Sequence, residues 1–82
     1  MNADSENISL EISHQPFGYS VVSPELTTLC LMESDAERLV KRLFPELRTL
    51  YLIEQRRRVD FEVFETADGG VIPVKIRVRD NR

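Results

Sequence analysis

Ile8, Leu10 and Ile12 alternate with Ser9, Glu11 and Ser13, the period-two pattern of a strand with one buried face. His14-Gln15-Pro16-Phe17-Gly18 then places Pro and Gly within five residues, a loop signal. Tyr19, Val21 and Val22 read as a second strand closed by Ser23-Pro24, so the first two strands form a hairpin. Thr27–Met32 is apolar after a β-branched start. Leu29 and Leu31 fall on one side of such a strand and Cys30 and Met32 on the other. A single covering helix leaves the second side facing solvent, a first hint of a partner or a self-associating surface.

The period changes at Ser34-Asp35-Ala36-Glu37, which reads as a capping box with Ser34 at the N-cap and Glu37 reaching back. Behind it Ala36, Leu39, Val40, Leu43, Phe44, Leu47, Leu50 and Tyr51 recur at spacings of three and four, a helical stripe. Pro45 lies inside that stripe. It has no N–H and disfavours helical geometry at Phe44, so the pattern predicts one helix to Phe44, a break or kink, and a second from Pro45 to Gln55. Arg56-Arg57-Arg58 then sits at the helix C-terminus, where cations are favourable.

Val59-Asp60-Phe61-Glu62-Val63 and Val74-Lys75-Ile76-Arg77-Val78-Arg79 alternate strictly around Ala67-Asp68-Gly69-Gly70. Asp-Gly is a preferred pair for a two-residue hairpin turn. With Asp68-Gly69 at the tip, strands 59–66 and 71–79 pair so that Val63 faces Val74, Phe61 faces Ile76 and Val59 faces Val78. Glu62 then meets Lys75, and Asp60 meets Arg77. Phe64 and Pro73 are opposed in this register, and the missing N–H of Pro73 makes the start of the last strand a sheet edge. Met1–Asn7 is polar and unpatterned and reads as a disordered leader to one α+β domain over residues 8–82. The expected architecture is β-β-β-α-β-β: a single, mostly antiparallel sheet with a Pro-kinked helix packed on one face.

With 82 residues, 41% of them hydrophobic and 30% charged, the chain has the make-up of one globular domain. A domain this small buries only roughly 60–65% of its unfolded surface, and one helix cannot cover both faces of a five-stranded sheet. A net charge of −3 supplies no global field for nucleic acid. One cysteine makes no internal disulfide and suits a reducing cytoplasm. No apolar run approaches a membrane span, and no signal peptide is visible.

Chemistry-bearing residues are few. His14, the only imidazole, sits in a turn, and Cys30, the only thiol, sits in an apolar strand. A Cys–His nucleophilic pair needs them together, but an exposed loop His and a small hydrophobe account for both. Glu37, Glu62, Asp60 and Asp68 each have a structural assignment, as cap, cross-strand partner or turn. No residue is therefore assigned to catalysis, cofactor or metal. Arg56, Arg57 and Arg58 are either a solvated helix end or a contact for nucleic acid or an acidic partner. Phe64 is the odd apolar residue on the polar face of its hairpin: it stacks on Pro73, or it anchors an interface.

One stretch carries a family resemblance: Tyr19-Ser20-Val21-Val22-Ser23-Pro24-Glu25-Leu26, then Leu29, then Asp35-Ala36-Glu37-Arg38-Leu39, with Pro45-Glu46-Leu47 late in the helix. Over residues 8–55 it resembles HicB-like antitoxin domains, which run from an aromatic-x-Val-x-Ser strand through an apolar strand and an acidic cap into a helix. Thr28 stands where that family usually has Gly. The resemblance implies a small, non-catalytic, cytoplasmic module that self-associates and binds a small partner protein, such as an RNA-cleaving toxin, by occlusion. The residues expected to meet the partner or a second copy are Cys30, Met32, Phe64, Arg56, Arg57 and Arg58. The rival reading is a nucleic-acid-binding module that uses Arg56–Arg58 and the last strand's Lys75, Arg77 and Arg79.

Overall fold

A computed structural model describes residues 5–67, 70 and 72–81. They form β1 (Ser5–Ser9), β2 (Glu11–Gln15), β3 (Gly18–Val22), β4 (Cys30–Glu33), α1 (Ala36–Gln55), β5 (Val59–Ala67) and β6 (Ile72–Asp80). The class is α+β as the pattern implies, but the single five-stranded sheet is not formed. The six strands make two separate antiparallel sheets of three, ordered β1-β6-β5 and β2-β3-β4.

The split occurs inside what the alternation reads as one strand. Ile8 belongs to β1, opposite Ile76, and Ile12 belongs to β2, opposite Val21. Leu10 lies between them, buried, with its N–H donating to the Val74 carbonyl at 2.8 Å. All three side chains still point to the interior, so their pattern carries no mark of the change of sheet. Three residues of the expected leader, Ser5, Glu6 and Asn7, are paired in β1 with Arg79, Val78 and Arg77. A short polar strand whose partner supplies the apolar face has no alternation of its own to detect.

α1 packs against strands of both sheets. Leu39, Leu43, Leu47 and Tyr51 are its buried stripe. They meet Val21 and Leu31 from one sheet and Ile8, Ile76 and Val78 from the other in one core. The helix is continuous through Pro45, not two pieces. Pro45 and Lys41, whose carbonyl loses its partner there, are both exposed, so water can serve that carbonyl, while the i, i+4 stripe continues unbroken on the opposite side. The N-cap is Asp35, one residue later than expected. Its carboxylate accepts from the Arg38 N–H at 2.8 Å, and its carbonyl accepts from the Leu39 N–H at 3.1 Å. At the other end Arg56 is the C-cap, in the left-handed region at φ 55°, and the Arg57 N–H reaches the Tyr51 carbonyl at 3.2 Å.

The last hairpin is shifted two residues from its expected register. Phe61 opposes Val78, Val63 opposes Ile76 and Glu62 opposes Arg77. Up to Val63 a shift of two leaves each side chain on its expected face and still sets acids against Arg77 and Arg79, so neither polarity nor charge selects between the registers. An irregularity between Val63 and Thr66 leaves Phe64 without an opposite residue and sets Pro73 against Thr66. The last described pair is Ala67–Ile72; the turn assigned to Asp68-Gly69 lies outside the described residues. β6 is the central strand of its sheet, but the β1 ladder ends at Ser9–Lys75, short of Pro73.

Candidate interaction surfaces

The strand registers sort the outer faces of the two sheets into different chemistries. On β1-β6-β5 the outward rows are Asn7–Arg77–Glu62 and Ser9–Lys75–Glu65, with Arg79–Asp60 beyond them. Glu62 pairs with Arg79 at 3.0 Å and Arg77 at 3.5 Å, and Glu65 pairs with Lys75 at 3.6 Å. Each of the three cations of the last strand therefore has a carboxylate partner on its own sheet, Glu62 serving two of them. These exposed pairs contribute little to stability, but they make the face a solvated, balanced lattice.

On β2-β3-β4 the outward rows are Glu11–Val22–Cys30 and Ser13–Ser20–Met32. Glu11 is the only charged member. Val22, Cys30 and Met32 are exposed, Met32 at 58%. At one end the strip meets the β2–β3 turn, where Phe17 is 79% exposed. A shallow depression lined by Gln15, Phe17, Gly18, Tyr19, Met32, Glu33 and Ser34 joins the two. Gly18 brings the turn close: at φ +148°, a Cβ there would lie 2.3 Å from the Glu33 carbonyl oxygen, an approach that only glycine permits. On the inner side Glu33 accepts a hydrogen bond from Arg42 of the helix, tying the end of β4 to α1. Phe17, Gly18 and Val22 belong to this surface and were not singled out by residue type. The turn signal at Pro16-Phe17-Gly18 marked the place without its exposure.

Of the expected interface residues, Cys30 and Met32 stand together here. Phe64 does not join them. It lies on the other sheet, half exposed, with the Arg77 guanidinium 5.8 Å from its ring centroid, and Pro73, its expected opposite, faces Thr66 instead. His14 and Cys30 do not meet. His14 opposes Tyr19 on the inner side of the sheet, stacked on its ring at 4.4 Å. Cys30 opposes Val22 on the outer side, three residues along and two strands over, about 14 Å away by strand geometry. That separation removes the Cys–His pair.

The arginine triplet divides. Arg57 is structural: it pairs with Asp80 and with Glu6, each at 2.8 Å, and lies over the Tyr51 ring at 5.3 Å. Tyr51 is buried and donates its hydroxyl to Glu6 at 3.1 Å. Burial first, then the Glu6 carboxylate, pushes its phenol well above the ordinary tyrosine range. This cluster ties β1, the end of the helix and the end of β6 together. Arg56 and Arg58 stay exposed. A second polar tie is Glu25, which accepts the Ser9 N–H at 2.9 Å and the Ser23 hydroxyl at 3.1 Å. The Ser9 N–H is the main cause that holds its carboxyl below the usual range. It also occupies a donor at the exposed edge of β1.

Among the described residues no helix is long and apolar enough to cross a membrane. No protein-family model, curated protein or solved structure matches the chain.

Proposed function

We propose that this chain is a small protein-interaction module that associates with a second copy of itself through the outer face of β2-β3-β4. The contrast between the two outer faces carries the reading. One spends its charges internally on Glu62, Glu65, Lys75, Arg77 and Arg79. The other presents Val22, Cys30 and Met32 with a single carboxylate, Glu11. In a chain of net charge −3, the face with almost no charge is where two copies meet with least repulsion. The narrower reading, a HicB-like antitoxin that occludes a small RNA-cleaving protein, is supported by the order of segments behind the resemblance: strand β3, strand β4, the acidic cap Asp35 and α1.

Light scattering across a concentration series tests the association. The wild-type chain is expected to give the dimer mass, and Met32→Asp the monomer mass with unchanged circular dichroism. A wild-type chain that stays monomeric up to high micromolar concentration overturns the proposal. Co-expression with a small basic protein encoded beside this one tests the narrower reading; failure to co-purify and to block its RNA cleavage removes it. The nucleic-acid alternative loses the support of the last strand, whose cations are already paired.

A further inference from the structure

The structure assigns a second docking surface, for an acidic peptide segment carrying an aliphatic side chain, to the groove between the C-terminal half of α1 and the start of β5. Its walls are Arg48 and Leu52 from the helix, Arg58 from the connection, Val59 and Asp60 from the strand, and Asn81 beyond β6. A second depression lined by Arg56, Arg57, Arg58, Asp80 and Asn81 adjoins it, with Arg58 and Asn81 common to both.

The distribution of unpaired charge points to the occupant. Among the described cations, Arg38, Arg42, Arg57, Lys75, Arg77 and Arg79 each have a carboxylate within 4.0 Å. Lys41, Arg48, Arg56 and Arg58 have none among the described residues, and the last three gather at this one end of an acidic chain. Arg48 is held in place with its guanidinium 5.8 Å from the Phe61 ring centroid. Asp60 is the single carboxylate of the first depression, and Asp80 in the second is already bound by Arg57. An anionic segment therefore meets an excess of guanidinium groups, which suit bidentate recognition of carboxylates.

Leu52, 46% exposed, supplies aliphatic surface in the wall of the first depression. No aromatic side chain lines either depression. Single-stranded nucleic acid relies on such platforms for base stacking. A protein segment of mixed Glu and Leu character matches both halves of the groove.

The test uses the full chain and a labelled peptide of alternating Glu and Leu, read by fluorescence anisotropy. The expected result is saturable binding that weakens as salt rises and falls by roughly tenfold or more in Arg58→Glu. Arg56→Glu is expected to weaken it in the same sense, and a Glu-only peptide is expected to bind several-fold less tightly. Circular dichroism checks that each variant is folded. Met32→Asp should leave peptide binding unchanged, which separates this surface from the self-association face. No binding by the wild-type chain, equal binding by folded Arg58→Glu and Arg56→Glu, or tighter binding of a single-stranded oligonucleotide than of the peptide would each overturn the assignment.

Discussion

Three residues show how much of this chain is decided by single contacts. Gly18 is fixed by a backbone at φ +148° and by the Glu33 carbonyl, which leaves no room for a Cβ. Gly18→Ala is expected to destabilise the fold by at least about 2 kcal/mol in urea unfolding, and to loosen the approach of Phe17 to Met32; an unchanged midpoint would contradict the geometry. Tyr51 gives a pH signature. Its folded-state phenol titrates above its unfolded value, so the folded state prefers the neutral form. That preference contributes in full below pH ~10 and is lost as pH rises beyond it. The urea midpoint should fall above pH ~10, and Tyr51→Phe should remove that component of the fall. At neutral pH the variant lacks the bond to Glu6, a loss of about 1 kcal/mol. Arg57 was legible only as part of a basic run. That it serves as the tie between Glu6 and Asp80 depends on strands meeting from opposite ends of the chain, which no local spacing reports.

At the scale of elements, periodicity located the helix, β3 and the β5–β6 hairpin, because each has a wet and a dry side. It failed where a pattern is compatible with two arrangements. Ile8-x-Leu10-x-Ile12 satisfies one straight strand and two strands in different sheets equally well. The alternation of residues 59–79 satisfies any even register. Pro45 misled for a different reason: its cost is real, but the packing of Leu39, Leu43, Leu47 and Tyr51 against both sheets exceeds it. The helix therefore carries a proline penalty at an exposed position. Pro45→Ala is expected to raise stability by about 1–3 kcal/mol in urea, with no change in association. A destabilised variant would mean that the proline serves a contact the buried stripe does not explain. The candidate surface was half legible. Cys30 and Met32 followed from strand parity, whereas Val22 and Phe17 joined them only once the register of β2-β3-β4 and the Gly18 turn were in place.

Across the whole molecule, two three-stranded sheets share one helix, and neither sheet has a core without it. Val21 and Leu31 come from one sheet, Ile8, Ile76 and Val78 from the other, and all are closed by the same four helical side chains. Two sheets joined by their own linker and separate cores would unfold separately; sheets that bury against one stripe should unfold together. Val21→Ala and Ile76→Val are therefore each expected to lower one common transition, by roughly 2–4 kcal/mol for the deeper truncation and about 1 kcal/mol for the single methylene. Hydrogen exchange should report the same opening free energy for the central strands β3 and β6. Ile76 lies in the other sheet from Met32, so the cost of Ile76→Val should add to, and not couple with, the effect of Met32→Asp on association. Two resolved transitions, or protection lost in only one sheet of each variant, would show that the helix belongs to one sheet alone, and the outer face of β2-β3-β4 would then have to be judged as the back of an independent unit.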